Sequence, residues 1–465
     1  MRTIGRGVLA LVVAGLVVLG GIAAERAGPA TPAAAPRGTA VSNAWLCPHG
    51  GGKGWTGTIA LADPGPESVD VRVTELSTGA PSAPVTITVP AGHEVLQPVE
   101  AGSTADATYI EAFGGWVAAG WLVRAAPPST GLGVEPCAPA ASRTWYTADS
   151  DTQQGHRSYL VVMNPFSVEA VFDVALFRPR LPPVRSADWI DLTLPPGRSM
   201  ALNVGSKVLG QEIVGAEVDV SRGRVGAASL GVSPDGGVRS VLGAPAPSAT
   251  AYLPVAEGAG QADLVVFVPG TEGVQLTTQL LSAVSPQAAG TAANTQQPGA
   301  STALYPIISV GPSSVNVTST GGVPFVAALR ARGQQHDDGA TGGWVAPATA
   351  WVVTPTVGGE PAQPQLVLVD PGPTAVRVTL QLLTPGSGPT GPRVTITVPA
   401  GRVAGAPRGF LEQADQAAVL VTADGPIVAL GASTSGGAKG LASYGLAVGV
   451  PMPMDALGRD RKSVV

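Results

Sequence analysis

The sequence predicts an all-β protein: four tandem immunoglobulin-like β-sandwich repeats of about 100 residues behind an N-terminal membrane helix. Three observations carry this. The 465-residue chain is apolar and turn-rich, 45% hydrophobic and 13% charged, with 62 Gly and 44 Pro. Gly and Pro are the poorest helix formers, and a chain this apolar does not match the composition of disorder. Second, one pattern recurs four times. Leu61-Ala62-Asp63-Pro64-Gly65, Val162-Met163-Asn164-Pro165-Phe166, Phe267-Val268-Pro269-Gly270 and Leu368-Val369-Asp370-Pro371-Gly372 place their prolines 101, 104 and 102 residues apart. Third, residues alternate apolar and polar with period two, as in Val69–Thr74 and Val376–Leu382, which marks strands with one buried face.

In chain order, residues 1–24 come first. Arg2 and Arg6 precede an uncharged run over residues 8–24, followed by Glu25 and Arg26. Seventeen helical residues span roughly 25 Å, close to the ~30 Å hydrocarbon core, and the arginines hold their end in the cytoplasm. An uncleaved signal-anchor fits this length. The alternative is a signal peptide cleaved after Gly21-Ile22-Ala23, leaving a secreted protein. Either way the bulk of the chain is extracytoplasmic. Residues 25–42, rich in Ala and Pro, read as a spacer.

The repeats occupy 43–139, 140–247, 248–347 and 348–456, with a tail at 457–465. An aromatic opens each one: Trp45, Trp145, Tyr252 and Trp351, lying 19, 20, 17 and 20 residues before the turn proline. Val85-Thr86-Ile87-Thr88-Val89-Pro90-Ala91-Gly92 recurs letter for letter as Val394 to Gly401, and more loosely as Ile190 to Gly197. Proline stops each of these strands because it has no N–H for the ladder, and glycine makes the turn. Repeat three has no clear copy, and Ser285–Ala300 reads as a loop. A β-propeller is the architectural alternative, each repeat then supplying two blades. The short link Ala138–Ser142 predicts repeats that abut in a line.

This set of a Trp-opened strand, an Asn/Asp-Pro turn and a Val-Pro-Ala/Pro-Gly turn behind a membrane segment resembles an actinobacterial envelope family classed as a domain of unknown function. The resemblance implies an exported, membrane-associated protein with no catalytic role to transfer.

The remaining motifs are weak. Gly52-Lys53-Gly54-Trp55-Thr56-Gly57 matches a dinucleotide fingerprint, but the chain runs on as strand rather than helix. Asp149-Ser150-Asp151-Thr152-Gln153-Gln154-Gly155 resembles a calcium loop with Gly one place late and Leu160 at position 12, and reads as a solvated connection. His336-Asp337-Asp338 lacks further ligands. His93 stands where the sister repeats have Arg198 and Arg402, and reads as a solvated strand start. Trp45, Trp145 and Trp351 read as core, while Trp55, Trp116, Trp121, Trp189 and Trp344 are less constrained. The net charge of −5, without a basic run, argues against nucleic acid. Cys47 and Cys137 bracket repeat one in an oxidising compartment and are expected to form a disulfide. No catalytic, cofactor or metal residue is expected. The reading is a non-enzymatic envelope scaffold, held at the membrane through residues 8–24, with an envelope protein or cell-wall polymer as partner. A cell-wall- or carbohydrate-binding array is the alternative.

Overall fold

The computed structural model describes residues 41–126, 131–257, 259–283, 291–299, 301–307, 311–333, 338–343, 346–355, 362–386, 391–413, 416–436 and 442–457. Repeat one forms β1 (Val41–Cys47), β2 (Thr56–Ala62), β3 (Val69–Leu76), β4 (Val85–Val89), β5 (Glu94–Val99), β6 (Ala107–Phe113), β7 (Ala118–Arg124) and β8 (Leu132–Pro136). These make two four-stranded sheets, β1-β6-β3-β4 and β5-β2-β7-β8. The alternation read from sequence sets their faces. Val69, Val71 and Val73 of β3 point into the core with Ile59 and Leu61 of β2 and Ile110 of β6, while Asp70 points out.

Repeat two repeats the plan with β9 (Thr144–Ser150), β10 (Arg157–Asn164), β11 (Ala170–Arg178), β12 (Leu181–Arg185), β13 (Leu192–Leu194), β14 (Arg198–Asn203), β15 (Val214–Arg222), β16 (Gly226–Val232) and β17 (Val238–Leu242). Its sheets are β9-β15-β11-β12, with β13 also on β11, and β14-β10-β16-β17. Repeat three has β18 (Thr250–Val255), β19 (Ala259–Phe267), β20 (Val274–Ser282), β21 (Thr291–Gln296), β22 (Ser301–Ile307), β23 (Ser313–Thr320), β24 (Val326–Gly333) and β25 (Asp338–Gly342), again in the orders 18-23-20-21 and 22-19-24-25. The stretch Ser285–Ala300, expected as a loop, therefore contains a strand. β21 pairs with β20 although Thr291–Gln296 carries no Val-Pro signature.

Repeat four has β26 (Ala348–Val353), β27 (Ala362–Asp370), β28 (Val376–Leu383), β29 (Arg393–Val398), β30 (Arg402–Gly405), β31 (Ala418–Gly436), β32 (Ala442–Val448) and β33 (Val450–Pro451). β31 does the work of the sixth and seventh strands. Its first half pairs β26 and β28, and its second half pairs β27 and β32.

The all-β class stands, but the strand order is not the immunoglobulin one. An immunoglobulin sandwich sets its first two strands side by side in one sheet. Here β1 and β2 lie in different sheets, and so do their counterparts in repeats two and three, while in repeat four β26 and β27 pair different halves of β31 and not each other. Among the described residues no helix is long and apolar enough to cross a membrane. The expected membrane segment 1–24 and spacer residues 25–40 lie outside the described residues, as do 458–465 of the tail.

The repeats do not stand in line. One edge strand of each packs against the corresponding strand of the next: β8 on β17, β17 on β25, β25 on β32, and β32 back on β8. The four strands thus surround an axis, and the described residues from 42 to 457 form one compact unit. A sheet of one repeat also packs on a sheet of its neighbour. Phe177 of β11 meets Phe267 of β19 with ring centroids 4.6 Å apart, among Ala148, Val265, Val326 and Ala328. Ala350, Val352, Leu383 and Leu420 of repeat four join the core of repeat one. Four-stranded sheets converging on an axis are the layout of the propeller alternative. They are combined here with a face-to-face pair of sheets in each repeat.

Close approach at the axis depends on missing side chains. A Cβ on Gly131 would lie 2.3 Å from the Gly236 carbonyl oxygen, and one on Gly339 would lie 2.7 Å from that of Tyr444. Backbone cannot yield there. Gly339→Val is therefore expected to destabilise the folded protein by roughly 1–3 kcal/mol through overpacking. Urea unfolding of the variant beside the parent checks this.

Candidate functional site

The repeat-opening tryptophans are structural rungs. Trp45, Trp145 and Trp351 are all buried, and each indole N–H donates to a main-chain carbonyl: Val117 just before β7 (2.9 Å), Val225 just before β16 (2.8 Å) and Ile427 in the middle of β31 (3.0 Å). Trp121 and Trp189 are also buried. Trp55 and Trp116 are half-buried, and Trp344 lies outside the described residues. Cys47 and Cys137 form the expected disulfide, joining the end of β1 to the residue after β8 across a separation of 90. In the chain-entropy model such a closure contributes about 4–5 kcal/mol. Gly52–Gly57 is a turn running into β2, so no helix follows it.

Two polar sites read as solvated prove to be buried at seams between repeats. The first is Asp149-Ser150-Asp151, where β9 ends. Asp149 accepts hydrogen bonds from the Arg330 guanidinium of β24, Nε–H at 2.8 Å with a second, shorter contact from Nη2. Arg239 of β17 lies 3.4 Å from the other Asp149 oxygen and 3.8 Å from Asp338, the first residue of β25. Asp151 adds contacts to His156 at 3.3 Å and Arg330 at 3.7 Å. Burial alone would raise the Asp149 pKa, but Arg330 and Arg239 hold its carboxyl below the ordinary value. The cluster joins repeats two and three. Asp338 belongs to it, while His336 and Asp337 lie outside the described residues. The sequence signal that could have exposed the cluster is an arginine inside each of two apolar strands, Arg239 and Arg330.

The second is His93-Glu94. The His93 ring donates to the Thr384 carbonyl at 3.0 Å, and Glu94 accepts from the Ala418 N–H at 2.9 Å, tying repeat one to repeat four. Burial pushes Glu94 well above the usual carboxylate range. Other contacts tie the remaining seams. Trp121 Nε1–H donates to Ser240 Oγ (3.1 Å) between repeats one and two, and the Gln365 side chain bonds both main-chain groups of Glu257 (2.8 Å each) between four and three. Across the axis, Glu135 of β8 accepts from the Gly342 N–H at 3.3 Å, and burial pushes its carboxyl well up.

A large concavity bordered by the half-buried Trp116 lies at the Asp63-Pro64-Gly65 turn. A groove of about 590 Å³ is lined by Asp63, Glu67, Gly114, Trp116 and Pro453, and one of about 340 Å³ lies across the turn, beside Gly92, Arg393 and Leu457. The turn itself explains Asp63. In repeat two, Asn164 Oδ1 accepts from the Phe166 N–H (3.1 Å), while its Nδ2 donates to the Val168 (2.9 Å), Leu194 (3.1 Å) and Pro195 (3.3 Å) carbonyls. In repeats one and four, Asp63 and Asp370 accept the same turn N–H, from Gly65 and Gly372 (2.7 Å each), but their second oxygens are buried with no hydrogen-bond partner among the described residues. A carboxylate oxygen cannot donate where an amide N–H does. A carboxylic acid can. Burial raises both groups, Asp63 to about 7, against the lowering effect of the Gly65 N–H. Among the described residues no group of three or more His, Cys, Asp or Glu could hold a metal ion.

Two predictions follow from this chemistry. Replacing Arg330 by Met leaves Asp149 buried beside Arg239 alone, and is expected to cost about 3–5 kcal/mol. The double variant Asp149→Asn/Arg330→Met should recover a large part of that loss in equilibrium unfolding. For Asp63, the folded state holds its proton more tightly than the unfolded chain. Its contribution is complete below about pH 4 and is lost as pH rises through about 7. Asp63→Asn supplies a permanent donor, so the variant should gain stability over the parent at pH 8 and lose that advantage at pH 4. Urea midpoints at the two values measure the difference.

No curated protein matches the chain. A solved structure described as the tetra-tandem repeat in the extending region of a large adhesion protein aligns at 11% identity over 85% of this chain and 95% of that one, with a TM-score of 0.10, too low to support a comparison of folds. The description of a protein family matches residues 103–352, from the turn before β6 into β26. More than half of the sequence is covered, and the chain belongs to that family, the family of unknown function DUF5719.

Proposed function

We propose that the chain is a non-enzymatic, extracytoplasmic envelope scaffold, held at the membrane through residues 8–24 and presenting its ring of repeats to an envelope protein or cell-wall polymer. The observation that carries this reading is where the buried polar chemistry is placed. Asp149, Arg239, Arg330, Asp338, His93, Glu94 and Glu135 all bond from one repeat to another. Catalysis draws on convergent titratable groups in a concave site. Here such groups serve as fasteners between repeats.

Carbohydrate binding is the second reading, favoured by one observation: the half-buried Trp116 and the carboxyl groups of Asp63 and Glu67 border the groove of about 590 Å³. An aromatic face beside acceptors for hydroxyl groups suits a sugar.

The scaffold reading expects alanine substitutions at Glu67, Ser42 and Trp116, in variants whose melting is unchanged, to leave partner capture from envelope extracts intact. A single such substitution that abolishes all function would instead indicate an enzyme. Titration with wall saccharides, followed by tryptophan fluorescence in the parent and in Trp116→Ala, separates the two readings. A saturable change lost in the variant supports the carbohydrate site. Protease added to spheroplasts should cleave the repeats, and full protection would contradict export.

A further inference from the structure

Of the eight residues shared letter for letter by repeats one and four, Val89 and Val398 are buried in the cores and Ile87 and Ile396 pack against them, while the threonines between them face solvent. The eight form β4 and β29 and the turns after them, and each is the outermost strand of its sheet, paired on one side only. Val85 is 52% exposed, and Thr86, Thr88, Thr395 and Thr397 are exposed. The neighbouring inner strands have diverged: Val69-Asp70-Val71-Arg72 in one repeat faces Val376-Arg377-Val378-Thr379 in the other. The identity thus extends to solvent-facing threonines at the sheet edge, which core packing does not enforce.

Edges of this kind are normally guarded by charge, proline or bulges, because their free backbone groups accept another strand. Repeat two guards its equivalent edge. Its loose copy of the motif gives only the three-residue β13 (Leu192–Leu194), held between Asp191 and Pro195, and β12, further along the same edge of β11, reads Leu181-Pro182-Pro183-Val184-Arg185. Repeat three places the polar Thr291–Gln296 there. In β4 and β29 the five residues Val-Thr-Ile-Thr-Val hold no charge and no proline. Prolines flank them instead: Pro84 and Pro90 lie directly on either side of one, and Pro399 directly after the other, which Arg393, the first residue of β29, separates from Pro392. A pairing strand would meet a ladder of fixed length that cannot slip past either end.

The sequence also indicates which strand would pair. Val-Thr-Ile-Thr-Val reads the same in both directions. Laid antiparallel against itself, it sets Ile opposite Ile, Val opposite Val and Thr opposite Thr. Like would meet like on both faces, apolar on the core side and hydroxyl on the solvent side, which are favourable cross-strand pairs.

We propose that β4 and β29 are self-association edges, on which a second copy of this chain pairs antiparallel through its own Val-Thr-Ile-Thr-Val strand. Each copy carries two such edges, so association continues beyond a dimer. The inference is independent of where the protein resides and of what else it binds.

The test uses the full-length chain in detergent and two fourfold variants. One carries Thr86→Lys, Thr88→Lys, Thr395→Lys and Thr397→Lys. The other carries Glu at the same four positions. Sedimentation of the parent should show dimers and larger species that grow with concentration. Each variant alone should sediment as a monomer with an unchanged melting profile, since like charges then face each other. An equimolar mixture of the two should associate again, a result that misfolded variants would not give. A parent that stays monomeric at the highest concentration overturns the proposal, including one that binds an unrelated extended peptide instead. So do variants that associate as the parent does, or a mixture that remains monomeric.

Discussion

The constraint on which the rest of the structure depends is the packing of β8, β17, β25 and β32 around one axis. Strands brought this close need residues without bulk, and glycine supplies them at Gly131 and Gly339, where a Cβ would strike backbone. Closure makes the first repeat a neighbour of the last. That is why Glu94 and His93 of repeat one find partners at Ala418 and Thr384 of repeat four. A row of independent sandwiches would leave these groups at a surface.

The charge economy follows from the same closure. Only 13% of the residues are charged, yet several of those charges are buried at seams. A buried carboxylate beside arginine costs desolvation and recovers it only with good geometry. Asp149 has that geometry, bonded by Arg330 with Arg239 opposite. Glu135 reaches a backbone N–H across the axis, and the turn acids Asp63 and Asp370 have no cation in contact among the described residues. The protein thus treats its buried acids in two ways, as ionised groups held by arginine and as groups that burial drives toward the neutral form. The disulfide completes the picture by tying the two ends of repeat one, the repeat whose final strand closes the ring.

Much of the architecture was legible in the sequence because each repeat must solve the same local problem. A buried indole needs an acceptor for its N–H, so Trp45, Trp145 and Trp351 recur at one place with one kind of bond. Alternation exposed the faces of β3 and β28, and the proline turns exposed strand ends. The immunoglobulin-like order was not legible, since alternation gives strands and faces but not which sheet a strand joins. β21 was missed because Thr291–Gln296 has no apolar stripe and holds its place through backbone pairing. The polar seams were missed for a different reason: Asp149 and Asp151 sit in a polar stretch and His93 follows a Pro-Ala-Gly turn, and only a neighbouring repeat buries them. The glycines ahead of and within the final strands, Gly131, Gly133, Gly236, Gly237 and Gly339, were the available sign of close packing between repeats.

Native-state hydrogen exchange in rising urea tests the closed ring most directly, by following the amides of β8, β17, β25 and β32 together. If the four strands form one cooperative centre, their slowest amides converge on a single opening free energy and a single urea dependence. Four separate isotherms, with each repeat opening at its own urea concentration, would show four independent domains and contradict the account.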